Sequence, residues 1–506
     1  EGTAEYILAI DVGTTTVRAI AFDLAGRPAL EAYCESRVHH PRPTWAEVEP
    51  EDWWQCTVHV VREVTAGVAE CGGHIIGVGL TGLLHALIPI DAEGHPLARA
   101  MLWMDQRCAA QVEWMAREHG AAIEEVMGTS RVSSTWSAPK LRWIYEHQPD
   151  LLARTHRFLS VKDYIRMRLT DTIATDPSDA GGTFLFDRRR GEWSRTMLDI
   201  VGVPLEKMSP ICPSTRVAGG VTKEAACATG LPEGTPVVIG GGDTAATRLG
   251  ANALSSGRAC LYLGTAAWIS GPQRPARAFG ATATTGAALK WLAELLGPAP
   301  GMTTIQTYAA LDRDAARVPP GANGLLFLPH LMGERGPQYD PQAKGVLFGL
   351  TLAHHRAEVT RAVLEGCAFQ LRAILDQFES GSVDEMMVVG GGAKSSLWRG
   401  IIADVTGIRL LMPQVQEAGA LGAALFAAVG LGLFASPEEG AERWVRIAEC
   451  RDPLPDAHAM YNRIYPLYLD LEERVAPLYE RVPVEMTTEL AIDTGEEDGS
   501  CALWPS

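Results

Sequence analysis

The chain has 506 residues, of which 47% are hydrophobic, and its formal net charge is -17. A chain of this length has enough apolar content for two soluble globular domains. The negative charge argues against nucleic acid as a partner, because a phosphate backbone binds clusters of Lys and Arg. Ten scattered cysteines with no CxxC pair, together with the lack of a leader or long apolar span, predict a cytoplasmic protein without membrane contact, zinc or disulfides.

The first predicted element is a β-hairpin from Tyr6 to Asp23. Its first strand is an apolar run that ends on Asp11, and its second strand resumes at Val17. An acidic side chain at the end of a buried strand needs compensation, and a hydrated Mg²⁺ at a phosphate can provide it. The turn between the strands offers a glycine, hydroxyls and a cation to phosphate oxygens: Gly13, Thr14, Thr15, Thr16 and Arg18. A plain hairpin with a polar turn fits the same pattern.

Two loops in the next hundred residues are candidates for a small polar ligand. A helix is predicted from Glu51 to Glu70 and a strand from Ile75 to Leu80. His85 follows the end of that strand, where open α/β sheets bind ligands, although a single histidine is more often structural. The polar residues Asp105, Gln106 and Arg107 could bind hydroxyl groups of a ligand or cap a helix, and their spacing does not decide between these two roles.

A second glycine turn carries a carboxylate. Val237, Val238 and Ile239 form an apolar strand that runs into three glycines and Asp243, and Thr244 begins a helical pattern. A carboxylate held by backbone this small suits a general base beside a substrate. Capping of the following helix is the alternative role for an aspartate at this position.

Both patterns recur later in the chain in the same order. Residues 259–269 repeat the strand, Gly-Thr turn and strand of the first hairpin without its acidic residue. Residues 386–393 repeat the strand and triple glycine that precede Asp243. The repetition predicts two related α/β halves, each of which offers a glycine turn to one ligand held in a cleft between them.

These motifs resemble the FGGY carbohydrate kinases of the actin, hexokinase and heat-shock-protein superfamily, and within them the xylulokinases. The resemblance extends from Tyr6 to about Leu433. Its most specific part runs from Gly333 through Leu350 and on to Glu365. The resemblance implies two duplicated actin-like (ribonuclease H-like) α/β domains, here 1–250 and 251–485, followed by an acidic tail, 486–506. Domain closure on sugar binding is expected, because water would compete with the sugar.

The resemblance also implies a role for each matching residue. Asp243 matches the catalytic base, and Asp11 the carboxylate near Mg²⁺. The sugar contacts fall on Leu84, His85, Trp103, Asp105, Asp243 and Thr244. The ATP contacts fall on Gly13, Thr14, Thr15, Thr16, Arg18, Gly264, Thr265, Gly391, Gly392, Ala393 and Ser396.

The residues expected to contact the sugar differ from those of the xylulokinase pattern, whereas the residues expected to act in phosphoryl transfer match it. The chain reads Thr-Gly-Leu-Leu-His-Ala over 81–86 where xylulokinases usually read Ser-Gly-Gln-Met-His-Gly, and Thr244 replaces the usual Asn. The overall resemblance to xylulokinases implies ATP-dependent phosphorylation of D-xylulose to D-xylulose 5-phosphate, and the altered sugar contacts leave other substrates open. Another ketose, polyol or sugar acid (L-xylulose, erythritol, gluconate) is the first alternative, and a non-catalytic actin-like nucleotide-binding protein is the second. The sequence does not decide whether the protein forms a homodimer.

Overall fold

A computed structural model describes residues 4–254, 257–272, 279–297, 302–336, 340–379 and 381–481. The chain divides into two compact units. The first comprises the chain up to Asn252 together with Glu417–Val445, and the second comprises Ala253–Gln416 and the chain from Arg446 onward. The predicted acidic tail, 486–506, lies outside the described residues. In the part described, no helix has the length and apolarity to cross a membrane.

The first unit is built on a seven-stranded sheet. Its main path has the order β11-β12-β5-β1-β2-β3, and β13 pairs with β5 beside β12. The strands of this unit are β1 Ala4–Val12, β2 Thr16–Asp23, β3 Pro28–Glu35, β4 Glu47–Val48, β5 Gly73–Gly82, β6 Leu87–Ile90, β7 Ala100–Met101, β8 Arg157–Ser160, β9 Phe186–Asp187, β10 Glu192–Trp193, β11 Val217–Gly220, β12 Pro236–Val238 and β13 Gly241–Gly242.

The second unit is built on a six-stranded sheet of order β16-β15-β14-β19-β20-β21. A separate pair, β17 with β18, lies outside it. The strands of this unit are β14 Arg258–Leu263, β15 Ala267–Ser270, β16 Phe279–Thr282, β17 Leu326–Leu328, β18 Val346–Phe348, β19 Glu385–Val389, β20 Arg409–Pro413 and β21 Ile447–Arg451.

Helices surround both sheets. The helices are α1 Pro50–Glu70, α2 Ala109–Met127, α3 Ser137–His147, α4 Pro149–Arg154, α5 Val161–Thr170, α6 Pro177–Gly182, α7 Arg195–Val201, α8 Lys223–Thr229, α9 Asp243–Gly250, α10 Gly286–Leu296, α11 Thr304–Ala315, α12 Arg356–Leu375, α13 Ser396–Thr406, α14 Ala418–Gly430, α15 Pro437–Trp444 and α16 Pro455–Tyr479. Helices α1 to α9, α14 and α15 belong to the first unit, and α10 to α13 and α16 belong to the second.

The two units share one topology, which confirms the predicted duplication. In each sheet a three-stranded antiparallel meander (β1-β2-β3 and β14-β15-β16) is extended by two parallel strands. The first of these pairs with the first strand of the meander (β5 with β1, β19 with β14), and the second pairs with the first (β12 with β5, β20 with β19). An antiparallel strand, β11 or β21, completes the edge. The two predicted Gly-Thr hairpins are the β1-β2 and β14-β15 pairs.

The core of the first unit has a helix on either face of β5. Val78 and Leu80 join the apolar cluster that includes side chains of α1 and α5. The alternating residues point to the opposite face, where α14 packs. There the backbone of α14 comes so close that a Cβ on Gly79 would lie 1.9 Å from the Ala423 carbonyl oxygen. The segment Glu417–Val445 is therefore part of this core, although the sequence predicted it within the second domain.

The expectation that the chain forms no disulfide is wrong. The sulfur atoms of Cys34 on β3 and Cys56 on α1 are bonded, with their Cα atoms 5.3 Å apart. The packing of α1 against β3 brings together two cysteines that lie 22 residues apart, a spacing that matches no disulfide motif.

Candidate functional site

The central strands of the first sheet end together at one edge. Asp11 on β1 pairs in register with Thr81 on β5, and Gly241 on β13 pairs with the same Thr81. These strands run parallel, so their carboxyl ends meet at this edge, where open α/β sheets bind ligands. The structure thus brings together the predicted Mg²⁺ carboxylate, the sugar loop that follows β5, and the turn that carries Asp243.

The turn of the β1-β2 hairpin lies beside the predicted sugar-contacting tryptophan. The amide of Gly13 donates to the carbonyl of Thr16 across 2.8 Å, which closes the turn. Trp103 donates its indole N–H to the hydroxyl of Thr14 at 3.3 Å. A predicted phosphate residue and a predicted sugar residue are therefore in direct contact, while Thr15 is exposed.

The charged form of the Asp11 carboxylate is poorly stabilised in the folded chain. Burial, with the nearby charge of Asp243, raises the pKa of Asp11 to about 7, although Arg18 acts in the opposite direction. Arg18 lies opposite Asp11 in the hairpin register, and its Nη1 is 2.5 Å from Oε2 of Glu417. The guanidinium that the sequence assigned to phosphate is thus already paired with a carboxylate of the same unit.

Asp243 is the first residue of α9, and Gly242 takes the N-cap position. Oδ1 of Asp243 accepts the amide of Thr244 at 2.5 Å and its hydroxyl at 3.1 Å. Burial raises the pKa of Asp243 to about 6, and the hydrogen bonds from Thr244 and from the Leu84 amide limit that rise. A carboxylate with a pKa near neutrality can accept a proton from an alcohol as a bond forms to its oxygen.

The loop after β5 is held tightly beside Asp243. A Cβ on Gly242 would lie 2.4 Å from Cδ2 of Leu84, so a larger residue at 242 would require this leucine to move. His85 has a φ of 71° and its Nδ1 is 2.6 Å from the carbonyl oxygen of Gly182. The buried ammonium of Lys140 donates to the carbonyls of His85 and Thr135, at 3.1 and 3.0 Å.

Asp105 occupies a different environment from the one expected of a sugar-binding residue. Its side chain is fully buried. Its carboxylate accepts the amide of Ala46 at 2.7 Å and two guanidinium nitrogens of Arg107 at 2.9 and 2.7 Å. The guanidinium of Arg107 lies 3.5 Å from the centre of the Trp45 ring. Asp105 therefore fixes the loop that presents Trp103, and its oxygens are occupied by protein donors.

In the second unit the two predicted nucleotide turns lie side by side. β14 and β19 are parallel neighbours, so the turns that follow them share an edge. Built Cβ atoms on Gly390 and Gly392 would lie 2.8 Å from the carbonyl oxygen and 2.7 Å from Cγ of Leu263, the residue before Gly264. Gly391, Gly392 and Ala393 form a 3₁₀ turn, and the carbonyl of Thr265 accepts amides from residues 285 and 287.

Ser396 is exposed at the start of α13, and its neighbour Ser395 makes the contacts at this helix end. The Ser395 hydroxyl caps the helix by accepting the amide of Trp398 at 3.0 Å and donates to Oδ2 of Asp312 at 2.6 Å. The sequence analysis missed Ser395, although a Ser before an apolar helical pattern is an N-cap signal.

The sequence also missed the contribution of the segment that begins at Glu417. This segment contains Glu417, the partner of Arg18. It also brings Gly419 so close to Asp11 that a Cβ on Gly419 would lie 3.1 Å from Oδ2 of Asp11. No local pattern connects residues that are some four hundred positions apart. Only the tertiary arrangement of α14 against β1 reveals the contact.

The family model for the N-terminal domain of the FGGY family of carbohydrate kinases matches residues 6–250. The model for the C-terminal domain of that family matches residues 270–431. Together they account for most of the chain.

Three similar proteins illustrate the relationship. A xylulose kinase from Bacillus subtilis is 32% identical over 488 residues, which cover 92% of this chain and 96% of that protein. The crystal structure of xylulose kinase from Rhodospirillum rubrum has a TM-score of 0.84 at 30% identity and covers 94% of this chain and 100% of its own. A gluconate kinase structure from Lactobacillus acidophilus has a TM-score of 0.86 at 24% identity, covering 95% and 100%; at this identity the likeness shows the fold alone.

Proposed function

Since the chain belongs to the FGGY family of carbohydrate kinases and is therefore an ATP-dependent sugar kinase of the actin-like fold, we propose that it converts D-xylulose to D-xylulose 5-phosphate. The observation that carries this proposal is the similarity, over nearly the whole chain, to proteins described as xylulose kinases. The placement of Asp243 beside the loop of Leu84 and His85 supports it.

In the proposed reaction Asp243 is the general base. The attacking sugar hydroxyl transfers its proton to the Asp243 carboxylate while its oxygen bonds to the γ-phosphorus, and the bond to the β-phosphate oxygen breaks to release ADP. The raised pKa of Asp243, about 6, suits this task because the group is ionised at neutral pH and still basic enough to accept a proton. Most of the remaining catalysis is positioning and charge stabilisation.

Each unit would contribute one group of contacts to ATP. The first offers the hairpin turn with Thr14, Thr15 and Arg18. The second offers the turns at Gly264, Thr265 and 391–393, with the exposed Ser396 beside them.

The donor set in the first unit suits a Mg²⁺ ion that is already bound to phosphates. No group of three or more His, Cys, Asp or Glu in the described residues is placed to hold a metal. Asp11 supplies one poorly compensated carboxylate, and Asp243 is near enough to raise its pKa. Asp11 would be the residue that holds the ion, since a carboxylate oxygen is the kind of ligand that Mg²⁺ prefers. Bound there, Mg²⁺ supplies charge neutralisation for the transferred phosphoryl group.

We assign sugar recognition to Leu84, His85, Trp103 and Thr244, and we assign Asp105 to positioning of the Trp103 loop. Leu83 and Leu84 replace polar or flexible residues of the xylulokinase pattern, which leaves fewer hydrogen bonds for hydroxyl groups.

A coupled assay of ADP release tests the proposal on a panel of D-xylulose, L-xylulose, erythritol, glycerol and gluconate. We expect kcat/KM for D-xylulose to exceed that for each other compound by about 10-fold or more, since a site built for particular hydroxyls rejects poor matches. A higher kcat/KM for gluconate or for a polyol would refute the substrate assignment. ADP release that does not depend on any added sugar would refute kinase action altogether.

A further inference from the structure

A buried cluster of charged side chains lies directly under the glycine turn of the first unit, and the proposed mechanism makes no use of it. The cluster consists of two cations and three carboxylates, all almost fully buried: Lys162, Arg166, Asp163, Asp176 and Asp179. The ammonium of Lys162 lies 2.7 Å from Asp163, 3.0 Å from Asp176 and 2.9 Å from Asp179. Buried charges in this arrangement cost stability, so their retention invites a functional explanation.

The cluster reaches the glycine turn through one hydroxyl. Ser178 donates to Oδ2 of Asp176 at 2.5 Å and accepts the amide of Gly242 at 2.8 Å. Gly242 is the residue before Asp243. The other oxygen of Asp176 faces Lys162, so the carboxylate that orients the hydroxyl is itself held in place.

The glycine turn is packed closely on this side. A Cβ on Gly241 would lie 3.4 Å from the Ser178 hydroxyl, and one on Gly242 would lie 3.4 Å from Oδ1 of Asp179. Arg166 donates to the carbonyl of Ile239 at 3.1 Å, just before the turn begins. The turn is therefore linked to the cluster at both of its ends, directly through Arg166 before it and through Ser178 at Gly242.

We propose that Ser178, oriented by Asp176, is a positioning residue for phosphoryl transfer: its hydrogen bond to the Gly242 amide sets the direction in which Asp243 faces the sugar hydroxyl. The inference rests on the proposed role of Asp243. Small displacements of a reacting group cost rate far more than they cost binding. The effect of losing this bond is thus expected in kcat.

The chain contains a matched control for this bond. The hydroxyl of Ser214 donates to the same Oδ2 of Asp176 at 3.0 Å. Like Ser178 it is partly buried, but its side chain is not bonded to Gly242. Substitution of Ser178 by alanine also keeps the cap of α6, because that cap uses the backbone amides of Ser178 and Asp179.

The test compares Ser178→Ala, Ser178→Thr and Ser214→Ala in steady-state kinetics with the preferred sugar, whichever sugar the panel identifies. We expect Ser178→Ala to lower kcat about 10-fold and to leave KM for sugar and for ATP within about 2-fold. Ser214→Ala should keep kcat within about 2-fold, and Ser178→Thr should recover most of the lost rate because it retains the hydroxyl. Thermal unfolding should give a somewhat lower midpoint for Ser178→Ala, which loses the bond to Asp176 and the bond from the Gly242 amide, than for Ser214→Ala, which loses the bond to Asp176.

Three results would overturn the inference: equal kcat for the two alanine variants, a loss in Ser178→Ala carried by KM, or no recovery in the threonine variant. A separate variant, Asp243→Asn, tests whether Asp243 is the general base. If Asp243→Asn keeps normal turnover, the proposed function loses its base, and a slow Ser178→Ala variant would then show that Ser178 acts on another group.

Discussion

At the scale of single residues, the proposed chemistry depends on the ionisation of Asp243. Burial favours the neutral acid, and the hydrogen bonds from Thr244 and Leu84 favour the carboxylate. The net effect is a pKa of about 6, above the ordinary value of 3.8. Because the pKa of an acid is raised, the base becomes protonated as the pH falls through about 6, and activity is lost in that range.

The substitution Thr244→Val should shift this loss of activity to higher pH. It removes the hydroxyl that stabilises the Asp243 carboxylate and keeps the shape of the side chain and the backbone amide. We expect the acidic side of the kcat profile, measured at saturating sugar, to shift by about 1 pH unit to higher pH, while kcat at alkaline pH changes little. Because Thr244 is also assigned to sugar recognition, KM for the sugar should rise. A kcat profile that overlays the wild-type profile would show that Asp243 does not control its acidic side.

A second residue-scale prediction concerns Lys140, whose ammonium holds the carbonyl of His85 in a strained conformation. Burial lowers the pKa of Lys140 to about 7, so its charge is only weakly stabilised there. Without this donor, the His85 carbonyl loses a hydrogen bond and the loop relaxes. For Lys140→Met we expect KM for the sugar to rise about 10-fold with KM for ATP unchanged.

Lys207 provides the control for Lys140, because its ammonium also donates to two backbone carbonyls, those of Ala153 and Thr155. Neither carbonyl belongs to the sugar loop. Lys207→Met should therefore leave both KM values within about 2-fold. Equal effects of the two substitutions would mean that Lys140 acts through general stability.

At the scale of elements, the site is made by strand ends that the sequence could locate and by a helix that it could not. The hairpin, the strand that ends before His85, and the triple-glycine turns were predicted because each is a local pattern. The approach of α14 to β1, the Arg18 partner at Glu417 and the Cys34–Cys56 bond depend on contacts across long stretches of chain. The sequence predicted Asp105 as a sugar contact, and its spacing gave no sign that the carboxylate accepts hydrogen bonds from Arg107 and from the distant Ala46 amide.

The contact between α9 and α14 yields an element-scale prediction. A Cβ on Gly422 of α14 would lie 1.9 Å from the carbonyl oxygen of Ala246 on α9, and a Cβ on Gly250 would lie 1.9 Å from that of Ala418. Gly422→Ala must therefore separate the helix that carries Asp243 from its neighbour. We expect a loss of about 2 kcal/mol or more in the free energy of unfolding and a strong fall in activity.

Gly120 in the middle of α2 is the control for Gly422, because an added Cβ there would meet only the Cβ of Ser130 at 4.0 Å. Gly120→Ala should stabilise the protein by about 0.5 to 1 kcal/mol through higher helix propensity. Denaturant unfolding of both variants measures the difference. Similar stabilities would contradict the close packing of the two helices.

At the scale of the whole molecule, the chain folds as two units of common topology, and the first is completed by residues from far along the sequence. The sequence predicted a single boundary after residue 250, because α14 shows the all-apolar pattern of any buried helix. The pattern does not say which core buries it. The structure assigns that helix to the core that contains Asp11 and Asp243.

The whole-molecule prediction is that residues 4–252 do not form a stable unit alone. Without α14, one face of the central strands β1 and β5 would be exposed, at a cost of about 25 cal/mol for each Å² of apolar surface. The same fragment joined through a flexible linker to 417–445 should show a cooperative thermal transition. A cooperative transition of equal midpoint in the shorter fragment would contradict the assignment of this segment to the first unit.

The most direct measurement of the central claim is the single-turnover rate of phosphoryl transfer from ATP to D-xylulose in Asp243→Asn, with ATP affinity measured in parallel. We expect the rate to fall about 1000-fold, because the asparagine cannot accept the proton, while the dissociation constant for ATP stays within about 2-fold. Thr244→Val, which keeps the carboxylate, should retain its turnover at alkaline pH when the sugar is saturating. An Asp243→Asn enzyme that transfers phosphate within about 10-fold of the wild-type rate would show that another group is the base.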